Sequence, residues 1–310
     1  MTGQVPAFEM GPDTAALMRL RSLELRARLV MEGFWHGLHR SPLHGSSVEF
    51  SEYRPYSIGD DPRDIDWRVV ARTDRHYIRK HEEETNLRCP ILVDLSPSME
   101  FGSGSVTKRD YALTLAATLA FLLSSQGDAP GLLTFDSALV EYLPPRRRPG
   151  HLRSLLLALE KRGEGGVTNF ERPFRRVAEL ARRRGMVTVV SDLLAPVQEL
   201  DGPLGLLVAS GHEVIVFQVL DPEEREFRMG GAARFRDMET GRELVLDPAL
   251  AADRYRARMS AHLEALRGMC AKLGIQRVLC GTEQPLQRVL EAFMEQRTGM
   301  SRVRRKEGAR

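Results

Sequence analysis

The apolar positions of this chain change their pattern near residue 88. Beyond that point short, continuously apolar runs at 89–94, 131–135, 186–191, 213–220 and 275–279 alternate with longer segments of helical period. Runs of that length without polar alternation read as strands covered on both faces of a parallel sheet. Helices are predicted over about 107–125, 150–161, 171–184, 202–210, 248–273 and 285–297. A strand at 139–143 follows the 131–135 run after only the Asp136-Ser137 turn, and strands joined so closely must be antiparallel. The pattern predicts an α/β fold with a doubly wound, mostly parallel sheet and one antiparallel edge strand. Residues 234–237 and 242–246 flank Glu239-Thr240-Gly241 as a β-hairpin, an insertion near 232–247.

The segments before residue 88 read differently. Leu17, Leu20, Leu23, Ala27, Val30 and Met31 recur at helical spacing behind the capping residues Asp13 and Thr14, with arginines on the other face. This predicts an amphipathic helix within 1–32, packed on its own domain. Residues 33–87 mix aromatics, histidines, prolines and charges, with short strands at 49–56 and 77–80 and a turn at 58–63. The α/β domain is expected over 88–298, followed by a basic flexible tail at 299–310.

Composition narrows the function classes. Forty-five Lys and Arg against 42 Asp and Glu leave a net charge of +3, too balanced to demand a nucleic-acid partner. Arg146-Arg147-Arg148 sits between prolines without interleaved aromatics and reads as a solvated loop. The longest apolar stretches, 111–123 and 214–220, fall short of the roughly 20 residues that span a bilayer. The N-terminus has no basic segment followed by an apolar leader, and Cys89, Cys270 and Cys280 make no CxxC pair. A cytoplasmic, reduced protein without a membrane span is expected.

Candidate chemistry concentrates where the 89–94 run ends, in Asp94-Leu95-Ser96-Pro97-Ser98. Doubly wound folds place ligand sites beyond the carboxyl ends of their strands. Thr168, in the loop Gly165-Gly166-Val167-Thr168-Asn169, and Asp192, at the end of the 186–191 run, complete a set of oxygen donors. Asp94, Ser96, Ser98, Thr168 and Asp192 together resemble the metal-ion-dependent adhesion site of von Willebrand factor type A domains. That resemblance implies Mg²⁺ or Mn²⁺ on these five residues, with the sixth position taken by a partner's acidic group. Oxygen donors suit such hard cations, and two carboxylates balance the charge while neutral hydroxyls keep the ion electrophilic. The plainer reading is that the serines and Asp192 merely cap turns.

Catalytic patterns are sparse. A dehalogenase-like phosphatase carries a second Asp two residues after the first, and that position is Ser96. No Gly-x-Ser-x-Gly elbow, Walker A loop or dinucleotide glycine motif follows a strand. His36, His39, His44, His76 and His81 fit no zinc spacing. Asp60, Asp61, Asp64 and Asp66 alternate with Arg54, Arg63, Arg68 and Arg72, which favours an ion-pair network. A metal-dependent phosphoesterase built on this Asp60–Asp66 cluster is the rival from another class, and a metal-free scaffold is the third reading.

A longer signature surrounds that acidic cluster. Glu49-Phe50, Arg54-Pro55-Tyr56, Gly59-Asp60-Asp61, Arg63-Asp64-Ile65-Asp66-Trp67, Ala71-Arg72 and Glu82-Glu83-Glu84, with Ser191-Asp192-Leu193 and Asp221-Pro222-Glu223-Glu224 further on, resemble the bacterial family of domain of unknown function 58. In that family the signature precedes a von Willebrand A-like domain. The resemblance implies a non-enzymatic partner of MoxR-type AAA+ ATPases, acting in chaperone-like assembly or activation of client proteins. Many relatives carry two N-terminal membrane helices; this chain resembles the short soluble members.

Overall fold

Residues 89–94, 129–135 and 186–191 are buried at every position, as strands must be when helices cover both faces of their sheet. The computed structural model describes residues 13–40, 53–56, 67, 70, 77–79, 87–161, 169–181, 184–228, 233–238, 241–246 and 248–294. In chain order the elements are α1 (Thr14–Met18), α2 (Leu23–Arg40), β1 (Tyr53–Pro55), β2 (Tyr77–Arg79), β3 (Arg88–Asp94), α3 (Lys108–Ser125), β4 (Ala129–Phe135) and β5 (Leu139–Leu143). They continue with α4 (His151–Leu159), α5 (Glu171–Leu180), β6 (Met186–Ser191), α6 (Val197–Ala209), β7 (Glu213–Leu220) and α7 (Pro222–Glu226). Last come β8 (Ala233–Arg236), β9 (Glu243–Leu246), α8 (Pro248–Leu273), β10 (Gln276–Gly281) and α9 (286–294). Met1–Phe34 and Leu87–Arg310 form one compact unit, and Trp35–Asn86 a second. In the second unit β1 and β2 pair antiparallel, Tyr53 opposite Arg79.

The main sheet runs β10-β7-β6-β3-β4-β5, parallel throughout except for β5, which returns antiparallel beside β4. This is the α/β architecture the apolar pattern predicts. Side chains alternate between the two faces of each strand. Leu92, Leu133, Val189 and Val216 join Phe174, Leu204 and Leu266 of α5, α6 and α8 in one core. On the other face lies α3, buried on nearly all sides from Tyr111 to Leu123. Phe135, Phe170 and Phe174 meet edge to face at 5.7–5.8 Å, fixing the start of α5 against the end of β4.

Several boundaries differ from the sequence reading. The N-terminal helix is two helices, broken at 19–22, where Arg26 folds back to donate to the carbonyls of Leu20 at 2.5 Å and Met18 at 2.8 Å. The second helix runs to Arg40 rather than 31. Helix α6 begins at Val197, before the Gly202-Pro203 pair that reads as a breaker, because buried Leu200, Leu204 and Leu207 hold one side of it against the core. Helix α5 stops at Leu180, four residues short of its predicted end. The 233–246 hairpin forms as β8 and β9. Thr168, the Asp60–Asp66 cluster, His44, His76, His81 and the 299–310 tail lie outside the described residues. Cys89, Cys270 and Cys280 are buried and none is in a disulfide. Among the described residues no helix is long and apolar enough to cross a membrane.

Phe174 touches both other rings of the aromatic cluster and is fully buried. Phe174→Ala should cost about 3–5 kcal/mol of stability, read from the urea midpoint. A loss under about 1 kcal/mol would mean that the cluster collapses around the cavity.

Candidate metal centre

The chain leaves β3 toward β4 on one side and later crosses to β6 on the other, so β3 and β6 flank the point where the strand order reverses. Ligands of doubly wound sheets bind in the crevice beyond such a point. The parallel register pairs Val93 with Val190, which brings Asp94 level with Ser191 and Asp192 just beyond. Ser191 Oγ donates to Asp94 Oδ2 at 2.6 Å.

Past Asp94 the chain turns at once. Asp94 Oδ1 accepts the Ser96 backbone N–H at 2.9 Å, a side-chain turn of the kind Asp favours. Pro97 then starts a 3₁₀ turn over Pro97–Glu100, anchored by buried Met99. The turn folds both serine hydroxyls back toward the carboxylates: Ser96 Oγ and Ser98 Oγ are 3.0 Å apart, and Ser98 Oγ donates to Asp192 Oδ2 at 2.8 Å. On the other strand, Gln218 Nε2 donates to the Asp192 carbonyl at 2.8 Å. Leu193 takes a left-handed backbone (φ 50°), held by its N–H on Ser191 Oγ and its carbonyl on His262. That conformation is strained in a branched residue and turns the chain sharply after Asp192.

Four of the five sequence-predicted donors, Asp94, Ser96, Ser98 and Asp192, are thereby brought together. Thr168 lies outside the described residues; its neighbour Asn169 is held by a 3.2 Å bond from its N–H to the Asp136 carbonyl and caps α5 through Oδ1. Among the described residues no three His, Cys, Asp or Glu side chains form a metal-binding group. The site is instead two carboxylates and two hydroxyls, a hard oxygen set suited to Mg²⁺ or Mn²⁺. The Ser96–Ser98 and Ser98–Asp192 spacings are those of the hydrogen bonds between them, and the residues present fit such an ion by their donor chemistry.

Sequence reasoning missed the cation already there. Lys108, the first residue of α3, is fully buried, and its Nζ lies 2.7 Å from Asp192 Oδ2 and 2.6 Å from Glu224 Oε1. Burial alone would lower its pKa, but the Asp192 and Glu224 charges more than reverse this and hold it above the ordinary lysine value. The Phe101 ring lies 6.0 Å from the ammonium. Glu224 is set by a capping box: its Oε2 accepts the Asp221 N–H at 3.1 Å, while Asp221 Oδ1 accepts from Glu223. Asp221 Oδ2 also takes the Ser103 N–H, tying down the 102–107 loop that delivers Lys108. Gly102 permits that loop, since a Cβ there would stand 2.4 Å from the Val106 carbonyl oxygen. The signals were a lysine after a glycine-serine loop and the Asp221-Pro222-Glu223-Glu224 run.

Above the oxygens opens a cavity of about 490 Å³, with Ser98 and Asp192 in its lining beside Phe101, Phe170, Leu194 and Met238. The β8–β9 hairpin supplies Arg236, Asp237 and Met238 to its rim. Stacking of Phe235 on Phe227 at 5.5 Å and of Phe227 on Tyr255 at 4.5 Å roots the hairpin on α8.

Residues 52–267 match the family described as "Protein of unknown function DUF58". An "Uncharacterized protein Rv1480" of Mycobacterium tuberculosis is 34% identical over 260 residues, 82% of this chain and 81% of that protein. An uncharacterized protein of Mycobacterium avium is 42% identical over 74 residues, 23% of this chain and 43% of its own length. Among solved structures, BatB from Bacteroides thetaiotaomicron aligns with a TM-score of 0.41 at 14% identity, over 67% of this chain and 98% of that one. The SpRpn10 VWA domain aligns with a TM-score of 0.39 at 14% identity, over 66% and 94%.

Burial, with the Asp192 charge added, pushes the Asp94 carboxyl from 3.8 up to about 7, against hydrogen bonds from Ser191 and Ser96. In chelator the folded chain therefore holds one proton more than the unfolded chain between about pH 4 and pH 7, and stability should fall across that window as pH rises. The slope is at most about 1.4 kcal/mol per pH unit, and it vanishes on either side. Asp94→Asn cannot titrate and should flatten it, as urea midpoints at about pH 5 and about pH 7.5 would show. An unchanged slope in the variant would assign the dependence to other groups.

Proposed function

We propose, from the premise that the chain belongs to the DUF58 family, that it is a non-enzymatic protein-interaction module of the cytoplasm whose metal-ion-dependent adhesion site captures an acidic residue of a partner. The observation that carries this reading is the pairing of an oxygen-donor cluster with an open cavity whose walls include Phe101, Phe170, Leu194 and Met238. Asp94, Ser96, Ser98 and Asp192, with Thr168, would hold Mg²⁺ or Mn²⁺. When bound, the ion supplies an electrophilic point for an incoming carboxylate. The two serine hydroxyls would be among its donors, Ser191 and the Ser96 N–H steady Asp94, and Gln218 steadies the Asp192 backbone. Phe101, Phe170, Leu194 and Met238 offer apolar contact to the stem of a docked residue beside the charged groups of the lining.

The partner follows from the family resemblance: a MoxR-type AAA+ ATPase, its client, or both, with this chain as adaptor or co-chaperone in assembly or activation of the client. A second reading, a metal-free scaffold, is favoured by the Lys108 ammonium on Asp192, which neutralises that carboxylate without any ion. The two separate in one binding experiment. The ATPase should bind the immobilised chain in Mg²⁺ and bind at least about tenfold more weakly, or about 1.4 kcal/mol, in chelator and to Asp94→Asn whose circular dichroism is unchanged. Equal binding with and without Mg²⁺ would remove the metal bridge and leave the scaffold.

A further inference from the structure

We infer that Lys108 is an internal competitor of the divalent cation, an ammonium that neutralises Asp192 when the ion is absent and passes to Glu224 when the ion enters. The inference rests on the metal reading proposed above and deepens it by naming what sets the occupancy of that site.

Three observations carry it. First, Lys108 and the predicted ion claim the same oxygen. Asp192 Oδ2 accepts Lys108 Nζ at 2.7 Å and Ser98 Oγ at 2.8 Å, so the oxygen that stands beside the serine donors also faces the ammonium. Second, the ammonium has somewhere to go. Glu224 Oε1 lies 2.6 Å away, and the carboxylate is held by its other oxygen on the Asp221 N–H, so this acceptor stays in place while Asp192 changes partner. Third, the location opposes the helix. Lys108 opens α3, where the helix dipole disfavours a cation, and its side chain has no exposure to water. The carboxylates hold it there.

The charge count agrees. Asp94, Asp192 and Glu224, when ionised, set three negative charges against the one positive charge of Lys108, leaving two, which one divalent ion cancels. Removing the ammonium leaves three negative charges and a stronger attraction for the ion. Removing the Glu224 charge leaves Lys108 with Asp192 alone and deepens the competition.

The test is titration of the full chain with Mn²⁺ alone, followed by electron paramagnetic resonance of the free ion. Lys108→Met should bind Mn²⁺ at least tenfold more tightly than the parent, and Glu224→Gln several-fold more weakly. Lys108→Arg, which keeps the charge, should stay near the parent. Equal affinities in the parent, Lys108→Met and Glu224→Gln would overturn the inference while leaving the metal reading intact. Absence of Mn²⁺ binding in all of them would overturn both. Should Lys108→Met not fold, Glu224→Gln alone decides, since affinity equal to or above the parent's contradicts competition.

Discussion

Two carboxylates buried side by side at the reversal point of the sheet are the constraint from which the rest of this site follows. Asp94 and Asp192 are both almost wholly removed from water, and an uncompensated buried charge costs several kcal/mol. Each surrounding group answers that cost. Ser191 and the Ser96 N–H satisfy Asp94, while Ser98, Lys108 and the Leu194 N–H satisfy Asp192. The compensation reaches outward to Glu224 and from there to the capping box of α7 and the 102–107 loop. A short polar network thus links the ends of β3, β6 and β7 across the top of the sheet.

The scaffold under this network is rigid where the site needs it to be. Parallel pairing fixes Asp94 level with Ser191, because a slip of one residue would turn each side chain to the opposite face. Residues that take part in the polar network lie at strand ends and in the turns just beyond them, where a backbone can present oxygens without breaking the ladder. The apolar interior beneath, from Leu92 to Val216, is a continuous core and gives those turns a fixed base.

How much of this was legible in the sequence depends on whether the signal was local. The strands were readable because a buried strand in a parallel sheet is apolar at successive positions, and Ile91-Leu92-Val93 states that directly. Asp94, Ser96 and Ser98 were readable for the same reason, since their spacing is a property of five neighbouring residues. Asp192 was readable by position, at the end of a second apolar run. Lys108 and Glu224 were not: they stand 116 residues apart and meet only because α3 and α7, which follow β3 and β7 on either side of β6, both start at the same edge of the sheet. A lysine at the start of a helix reads as solvent-exposed by default, and the glycine-serine loop before it is too weak a signal to turn it inward onto a distant glutamate. The break at residues 19–22 was hidden because Arg26 caps it from the following helix, with no glycine or proline at the break itself.

The buried lysine also changes what the oxygen set implies. Two carboxylates and two hydroxyls without a neighbouring cation would have to bind protons or a metal to stay buried, and such an ion would be structural. With Lys108 present, the carboxylate facing the cavity has an ammonium at 2.7 Å, so the protein itself balances part of its charge, and on the proposed reading a metal there would serve recognition. Such an arrangement suits a module that must be stable before its partner arrives: the protein supplies part of the charge balance, and on that reading a divalent ion with a partner's carboxylate would supply the rest. The cavity above, walled by Phe101, Phe170 and Leu194 and rimmed by the rooted hairpin, is where on that reading a partner's side chain would reach the ion.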